Sequence, residues 1–349
     1  MSDAPGATTR RRHGVGAGPR RAKTSDAKKR FGQHFLEPAW VDKVIRAIDP
    51  KPDELFIEIG PGRGALTRPL AARAKAVTAY EIDRDLATDL KAAALPNLTV
   101  VEGDFLEVFA NLESPANPGS RANPESQANP ESEANPESQA NPESRIPNPV
   151  RVTGNLPYNV ASPIMFRLIE KNDVATRNGQ PMGDATLMLQ REVANRLIAS
   201  PGSKEYGVLS ILIQHRADVE MILKLPPGAF RPAPKVHSAL VRLRFHAPQP
   251  PVADPAVFAA LVQAVFTRRR KTLANALLAY RGQESAHGNR FPSPTASKLP
   301  SPIVVDRVHT PMTALEAAGL DGRRRPETLT VVEFARLADA YAGTRRAVL

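Results

Sequence analysis

Leu55-Phe56-Ile57-Glu58-Ile59 runs directly into Gly60-Pro61-Gly62-Arg63-Gly64. This junction constrains the fold more than any other stretch of the chain. A short apolar run ending in glycines reads as a strand buried on both faces, and such strands belong to parallel sheets. The pattern recurs in Ala76-Val77-Thr78-Ala79-Tyr80 and in Leu98-Thr99-Val100-Val101, each followed by an acidic residue. Val150-Arg151-Val152-Thr153 and Thr186-Leu187-Met188-Leu189 continue it. Near 239–245, Ala239, Val241, Leu243 and Phe245 alternate with Leu240, Arg242 and Arg244, which reads as a late antiparallel strand. Helical segments lie between these strands, so the expected fold class is α/β, a doubly wound Rossmann-like sheet.

Beyond the Pro-rich stretch 248–255 the signal turns helical. Asp254-Pro255 supplies an N-cap and a first-turn proline, and Val257, Phe258, Leu261, Val262, Val265 and Phe266 follow at helical spacing. Thr330-Val331-Val332-Glu333 has the form of a capping box opening a last amphipathic helix. The expected organisation is a basic disordered arm over 1–26, a catalytic domain over 27–247 and a small all-helical C-terminal domain over 248–349. Residues 116–145 repeat Ala-Asn-Pro-(Gly/Glu)-Ser-X with a period of six, too short and too polar for a solenoid. The segment 112–148 therefore reads as a disordered insertion into the first domain, and the Pro/Ser-rich 283–309 as a second insertion. The arm, with Arg10-Arg11-Arg12 and Arg20-Arg21, is either a contact for RNA phosphates or a solvated tail.

Lys+Arg 47 against Asp+Glu 36 leaves +11, which favours a polyanionic partner. With no cysteine, disulfides, thiolate metal sites and cysteine nucleophiles are excluded, and the seven histidines show no metal-ligand spacing. No apolar run is long enough to span a bilayer, and the start of the chain lacks the apolar core of a secretory signal. A cytoplasmic protein without metal or membrane association is expected.

The glycine turn lets a ligand approach backbone that side chains would block. Glu81 lies about twenty residues on, where a carboxylate can accept both hydroxyls of a ribose. Asp104, after Gly103, is placed to accept from an adenine amino group. A nicotinamide dinucleotide and S-adenosylmethionine both fit that plan. A dinucleotide calls for Gly-x-Gly-x-x-Gly, whereas this turn is Gly-x-Gly-x-Gly and Glu58 precedes it by two residues. An acidic residue there suits a ligand with a cationic amino-acid end and no phosphates, so the spacing favours S-adenosylmethionine.

Gly154-Asn155-Leu156-Pro157-Tyr158 follows the fourth strand at the same sheet edge. An adenine N6 is a poor nucleophile because its lone pair is delocalised into the ring. The side-chain oxygen of Asn155 and the carbonyl of Leu156 could each accept one N6 hydrogen, turning the lone pair toward a methyl donor. Pro157 fixes the turn, and Tyr158 offers a ring on which an extruded base can stack. Phe230, in the loop Pro226-Pro227-Gly228-Ala229-Phe230-Arg231-Pro232, is either a second stacking ring or a hydrophobic plug. Basic runs at 268–271 and 323–325 are candidate phosphate contacts.

With these residues assembled, the chain closely resembles the KsgA-type ribosomal RNA adenine dimethyltransferases. The matching segments include Lys29-Arg30-Phe31-Gly32-Gln33-His34-Phe35-Leu36, Glu58-Ile59-Gly60-Pro61-Gly62, Tyr80-Glu81-Ile82-Asp83 and Gly103-Asp104. Further matches are Gly154 through Asn159, Leu189-Gln190-Arg191-Glu192-Val193-Ala194, Pro226 through Val236, and Arg269-Arg270-Lys271-Thr272-Leu273. The resemblance implies a Rossmann-like S-adenosylmethionine-dependent methyltransferase sheet with a small all-helical C-terminal domain. It implies cofactor contacts at His34, Leu36, Gly60, Glu81, Asp104 and Asn155, and catalytic roles for Asn155, Leu156, Pro157, Tyr158 and Phe230. RNA contacts fall on Arg268, Arg269, Arg270 and Lys271. The implied activity is N6,N6-dimethylation of two adjacent adenosines near the 3′ end of 16S rRNA. The implied substrate is the small subunit or its assembly intermediate, with a role in subunit biogenesis, and a monomer is expected. The family usually carries Asn where this chain has His34; a neutral imidazole donating the same hydrogen bond is expected to preserve activity. Rival readings are a macrolide-resistance methyltransferase acting on large-subunit RNA, a non-catalytic assembly factor and a dinucleotide-dependent oxidoreductase.

Overall fold

The computed structural model describes residues 34–109, 149–280 and 311–346. The basic arm and both expected insertions lie outside the described residues. The chain opens with β1 (Phe35–Leu36) and α1 (Pro38–Ile48), then β2 (Leu55–Ile59), α2 (Thr67–Ala71), β3 (Ala76–Glu81) and α3 (Arg84–Ala92). It continues through β4 (Leu98–Glu102), α4 (Phe105–Val108), β5 (Arg151–Asn155), α5 (Ala161–Arg177), β6 (Asp184–Gln190), α6 (Arg191–Leu197) and α7 (Val208–Gln214). Then come β7 (Ala217–Leu225), β8 (Phe230–Arg231), β9 (Ser238–Phe245), α8 (Pro255–Phe266), α9 (Leu273–Leu277), α10 (Pro311–Ala317) and α11 (Val331–Arg346).

Seven strands form one sheet in the order β4-β3-β2-β5-β6-β9-β7. The pairs from β4 to β6 are parallel, and β9 runs antiparallel to both β6 and β7. All six strands read from the sequence are present, and β9 is antiparallel as expected. The pattern did not reveal the two-residue strands β1 and β8 or, in the large sheet, β7. Its apolar alternation is broken by a register shift between Met221 and Leu223, and it sits at the sheet edge with several side chains half exposed.

Both faces of the sheet are covered. Ile57, Val152, Leu187 and Val241 pack on one side with Phe105, Phe109, Ile164 and Leu168. Phe56, Val77, Met188 and Leu240 pack on the other with Val44, Ile45, Ile48 and Leu70. A separate core joins α8, α9, α10 and α11, and it includes Tyr206, Ile211 and Leu212 from around α7. The helical region is thus welded to the sheet region through α7. Asp254 caps α8 through the amides of Ala256 and Val257. Thr330 and Glu333 exchange the reciprocal hydrogen bonds of a capping box at 2.8 and 3.2 Å.

The sheet order reverses between β2 and β5, the switch point at whose carboxyl end open α/β sheets bind ligands. The two strands approach closely there. A Cβ on Gly154 would stand 2.4 Å from the carbonyl oxygen of Ile59, so no larger residue fits. The small antiparallel pair β1–β8, with Leu36 opposite Phe230, closes one side of this crevice.

Candidate active site at the carboxyl edge of the sheet

One cleft at that switch point is lined by His34, Leu36, Glu58, Gly60, Glu81 and Asn155, together with Leu156, Pro157 and Tyr158. Segments far apart in sequence therefore converge on it. Gly60 and Gly62 hold φ of 66° and 58°, the left-handed region open to glycine at little cost. A Cβ on Gly62 would also press to 3.1 Å from the Phe35 ring. The turn presents backbone rather than side chains to the cleft.

Glu81 is 4% exposed. Its carboxylate accepts from the Gly62 amide through Oε2 and from the Asp83 amide through Oε1, both at 2.9 Å. Burial pushes this carboxyl up, and those two amides hold it down. Each oxygen keeps a second lone pair, so a rigidly held carboxylate remains able to accept a pair of hydroxyls. Beside it Glu58 is 2% exposed, and Oε2 has no hydrogen-bond partner among the described residues. Burial raises Glu58 to about 7, with Glu81 adding to the rise. The nearby Thr67 hydroxyl opposes it without reaching hydrogen-bond geometry. Two buried carboxylates facing one cleft make a site suited to a cation. Such a set of acceptors fits the ribose hydroxyls and the cationic amino-acid end of S-adenosylmethionine.

Asp104 stands apart from this lining. Its Oδ1 accepts from the Leu106 amide at 2.9 Å as the N-cap of α4. Ile82 is an apolar residue 49% exposed on the cleft wall. Its signal in the sequence was an isoleucine directly after a strand-end carboxylate, a place where a flat ring can be covered.

At the opposite end, the Asn155 amide donates from Nδ2 to the His34 carbonyl at 2.7 Å. A carbonyl only accepts, so the amide orientation is fixed and Oδ1 is left for a ligand. Leu156 is buried and its own amide donates to Met188, which pins the turn. Tyr158 is held through its hydroxyl by Ser238 at 3.1 Å. The His34 ring stacks on Tyr158 with centroids 6.0 Å apart and 24° between planes. His34 Nδ1 lies 2.7 Å from the Pro232 carbonyl. That carbonyl needs a donor, so Nδ1 carries the hydrogen and neutral Nε2 can only accept. The expectation that neutral His34 donates to a cofactor is corrected by this: its ring N–H is already spent on Pro232.

Phe230 is not brought to the cleft lining. It is 1% exposed, packed with Leu36, Leu225 and Ala229, and occupies the position of the hydrophobic plug. Register fixes this placement, because pairing Phe230 with Leu36 in β8 turns its ring into the core.

The two basic runs part company. Arg269 is half-buried and donates to the carbonyls of Ser203 and Lys204, at 3.3 and 2.7 Å. Through Nη2 it ties the helical region to the sheet region. Arg268, Arg270 and Lys271 are exposed beside it. At 323–325 the expected phosphate contacts are instead paired internally. Arg323 meets Asp321, Arg324 meets Glu333, and Arg325 lies 4.0 Å from Glu327. Their acidic partners are two to nine residues away, and local loop geometry brings them together.

Among the described residues no helix is long and apolar enough to cross a membrane. The family model for ribosomal RNA adenine dimethylases matches residues 24–291. A ribosomal RNA small subunit methyltransferase A from Leptothrix cholodnii is 42% identical over 252 residues, covering 72% of this chain and 79% of that relative. The counterpart from Salmonella typhimurium is 34% identical over 318 residues, covering 90% and 92%. A dimethyladenosine transferase from Plasmodium falciparum shares the fold with a TM-score of 0.58 at 22% identity, covering 87% of this chain and 96% of that one. The 23S rRNA methyltransferase ErmE shares it with a TM-score of 0.51 at 24% identity, covering 88% and 98%. The glycine turn with its buried carboxylates, the fixed Asn155 amide and these matches agree: the chain belongs to the ribosomal RNA adenine dimethylase family.

Proposed function

We propose that this chain uses S-adenosylmethionine to dimethylate N6 of two adjacent adenosines near the 3′ end of 16S rRNA. The substrate is the small subunit or its assembly intermediate, and the enzyme works in subunit biogenesis in the cytoplasm as a monomer. The observation that carries the reading is the Asn155 amide, clamped by the His34 carbonyl so that its oxygen is left for a base amine. It lines the same cleft as Glu58 and Glu81, the carboxylate pair that suits a cationic cofactor. Bound there, S-adenosylmethionine supplies an electrophilic methyl on a sulfonium.

The chain's own residues do the rest. Glu81 holds the ribose hydroxyls, and Glu58 balances positive charge. Asn155 Oδ1 and the Leu156 carbonyl accept the N6 hydrogens, which turns the lone pair toward the methyl and stabilises charge developing on nitrogen. Pro157 keeps that carbonyl in place. Tyr158, steadied by Ser238, stacks the extruded base. The Salmonella relative supports the small-subunit target, since its match spans nearly the whole of both chains.

The test is incubation with labelled S-adenosylmethionine and small subunits lacking the modification, followed by nucleoside mass spectrometry. Dimethyladenosine in the 3′-terminal fragment, abolished by Asn155→Ala, is the expected result. Methylation appearing only in large-subunit RNA would overturn the target. Cofactor binding with no methylation of any RNA would leave the assembly-factor reading in its place.

A further inference from the structure

We infer that Arg191 and Lys235-Val236-His237 form a rim that grips the RNA strand beside the adenosine entering the cleft, a role that rests on the reading of this cleft as an RNA methyltransferase site. Arg191 and Lys235 take the flanking phosphates, and Val236 with His237 takes the ribose or base of the neighbouring nucleotide. Backbone pairing brings these residues to the Tyr158 side of the cleft. Residues 232–237 link β8 to β9, where Ser238 pairs with Gln190 at the end of β6. Arg191 follows immediately, and its amide donates to the His237 carbonyl at 2.9 Å. The hydroxyl of Ser238 lies 3.1 Å from that of Tyr158. A short chain of contacts thus joins the stacking ring to Ser238, His237 and Arg191.

Arg191, Lys235, Val236 and His237 are all exposed, Val236 to 42%. Arg191, Lys235 and His237 form no side-chain hydrogen bond or ion pair with any other described residue. The other charges along this rim are spent on one another. Glu192 pairs with Arg196 one helical turn on at 2.5 Å, and Arg231 pairs with Glu37 at 2.8 Å. A single exposed valine is ordinary on a protein surface. Set between unpartnered cationic side chains, it suits a nucleic acid strand, which presents phosphates and apolar faces in alternation.

Charge sets the path of that strand. An extruded adenosine brings its two flanking phosphates to the mouth of the cleft. Glu58 and Glu81 line the cofactor end, an acidic wall that disfavours phosphate. The base stacks on Tyr158 at the other end, so the backbone leaves over the rim, where the uncompensated charge is positive. Pro232 and Pro234 fix the backbone on either side of Ala233. The loop is therefore held before RNA arrives, and little entropy is lost on binding. A grip on the neighbouring nucleotide also suits a substrate with two adjacent targets, since the adenosine outside the cleft is held ready beside it.

The test combines steady-state methyl transfer to unmodified small subunits, subunit binding across a salt series, and S-adenosylmethionine calorimetry. It compares wild type with the double variant Arg191→Ala, Lys235→Ala and with the charge-keeping pair Arg191→Lys, Lys235→Arg. The alanine pair should raise KM for subunits roughly tenfold and reduce the salt slope of binding by about two. Its kcat, cofactor affinity and melting temperature should stay near those of wild type, and the charge-keeping pair should recover KM. A photo-crosslinking amino acid in place of Val236 should attach to the nucleotides next to the methylated adenosines. An unchanged KM and salt slope, or crosslinks confined to distant parts of the subunit, would overturn the proposal even with methylation intact. So would a loss of cofactor affinity or melting temperature that accounts for the rise in KM, or a charge-keeping pair no better than the alanine pair. Wild type that binds cofactor but methylates no RNA would overturn the parent reading, and this one with it.

Discussion

His34 and His215 each place a ring nitrogen 2.7 Å from a proline carbonyl, yet they serve different regions of the molecule. His34 stands in the cleft with its second nitrogen open. His215 is 2% exposed at the junction of sheet and helical regions. Its ring lies 4.4 Å from Phe258 of α8, and its carbonyl takes the Gln249 amide at 2.9 Å. Burial pushes His215 down to about 4. The same hydrogen bond thus fixes the tautomer of a ring that lines the cleft in one place, and is a structural rivet in the buried junction in the other. Variants at the Asn155 end of the cleft should change methyl transfer more than stability, whereas junction variants should do the reverse.

The largest separation is expected at Asn155→Ala. Removal of one preorganised acceptor should lower single-turnover transfer by about 10²–10³, with a much smaller loss of cofactor affinity and a melting temperature lowered by no more than the lost hydrogen bond to the His34 carbonyl accounts for. A comparable loss of cofactor affinity, seen by calorimetry, would break the division between the two ends of the cleft.

Acid titration comes next, because the two regions respond with opposite sign. His215 is neutral in the fold until about pH 4, while the unfolded chain protonates its histidines near 6.5. Its share of stability is present above 6.5 and lost as pH falls toward 4, about 3 kcal/mol in all. Glu58 is raised to about 7, so the folded state binds a proton that the unfolded carboxylate releases above about 4.5. Its burial costs stability above pH 7, and about 3 kcal/mol is regained as pH falls to 4.5. The two effects oppose each other between pH 6.5 and 4.5. In chemical unfolding over that range, His215→Gln should gain stability on acidification relative to wild type, and Glu58→Gln should lose it. Parallel curves for the two variants would refute the opposition.

A smaller effect should divide the run at 268–271. Arg269→Ala should lower stability by about 1–2 kcal/mol, since two carbonyls lose a charged donor. Arg270→Ala with Lys271→Ala should leave melting alone and reduce the salt slope of RNA binding by about one to two. If Arg269→Ala changes the salt slope and not the melting temperature, its role as a tie between the helical and sheet regions is refuted. Least of all, Tyr158→Phe should cost below about 1 kcal/mol in apparent RNA affinity, because the ring remains and only the bond to Ser238 is lost. A loss as large as that of Tyr158→Ala would show that the hydroxyl, not the ring, does the work.

Much of this was legible in the sequence where chemistry is local. A glycine turn after an apolar strand, an acidic residue at the next strand end and Asn-Leu-Pro-Tyr after the fourth strand all depend on neighbours within a few residues. So do the caps at Asp254 and Thr330. Partnerships across long separations were not legible. Asn155 and His34 are 121 residues apart, and His34 and Pro232 are 198 apart. Arg269 looked like its exposed neighbours until the carbonyls of residues 203–204 claimed it, and Phe230 looked like a stacking ring until its pairing with Leu36 turned it inward.

By itself, then, the sequence determined the parallel strands and the late antiparallel one, the carboxyl-edge location of the site and the family. Apolar periodicity and turn chemistry act over short spans and leave a direct trace in residue order. Only the tertiary structure decided which carboxylates are buried together, which arginines are spent internally and which nitrogen of His34 is tied to the Pro232 carbonyl. Those outcomes depend on burial and on hydrogen-bond partners brought in from distant strands and loops, and a one-dimensional pattern carries neither.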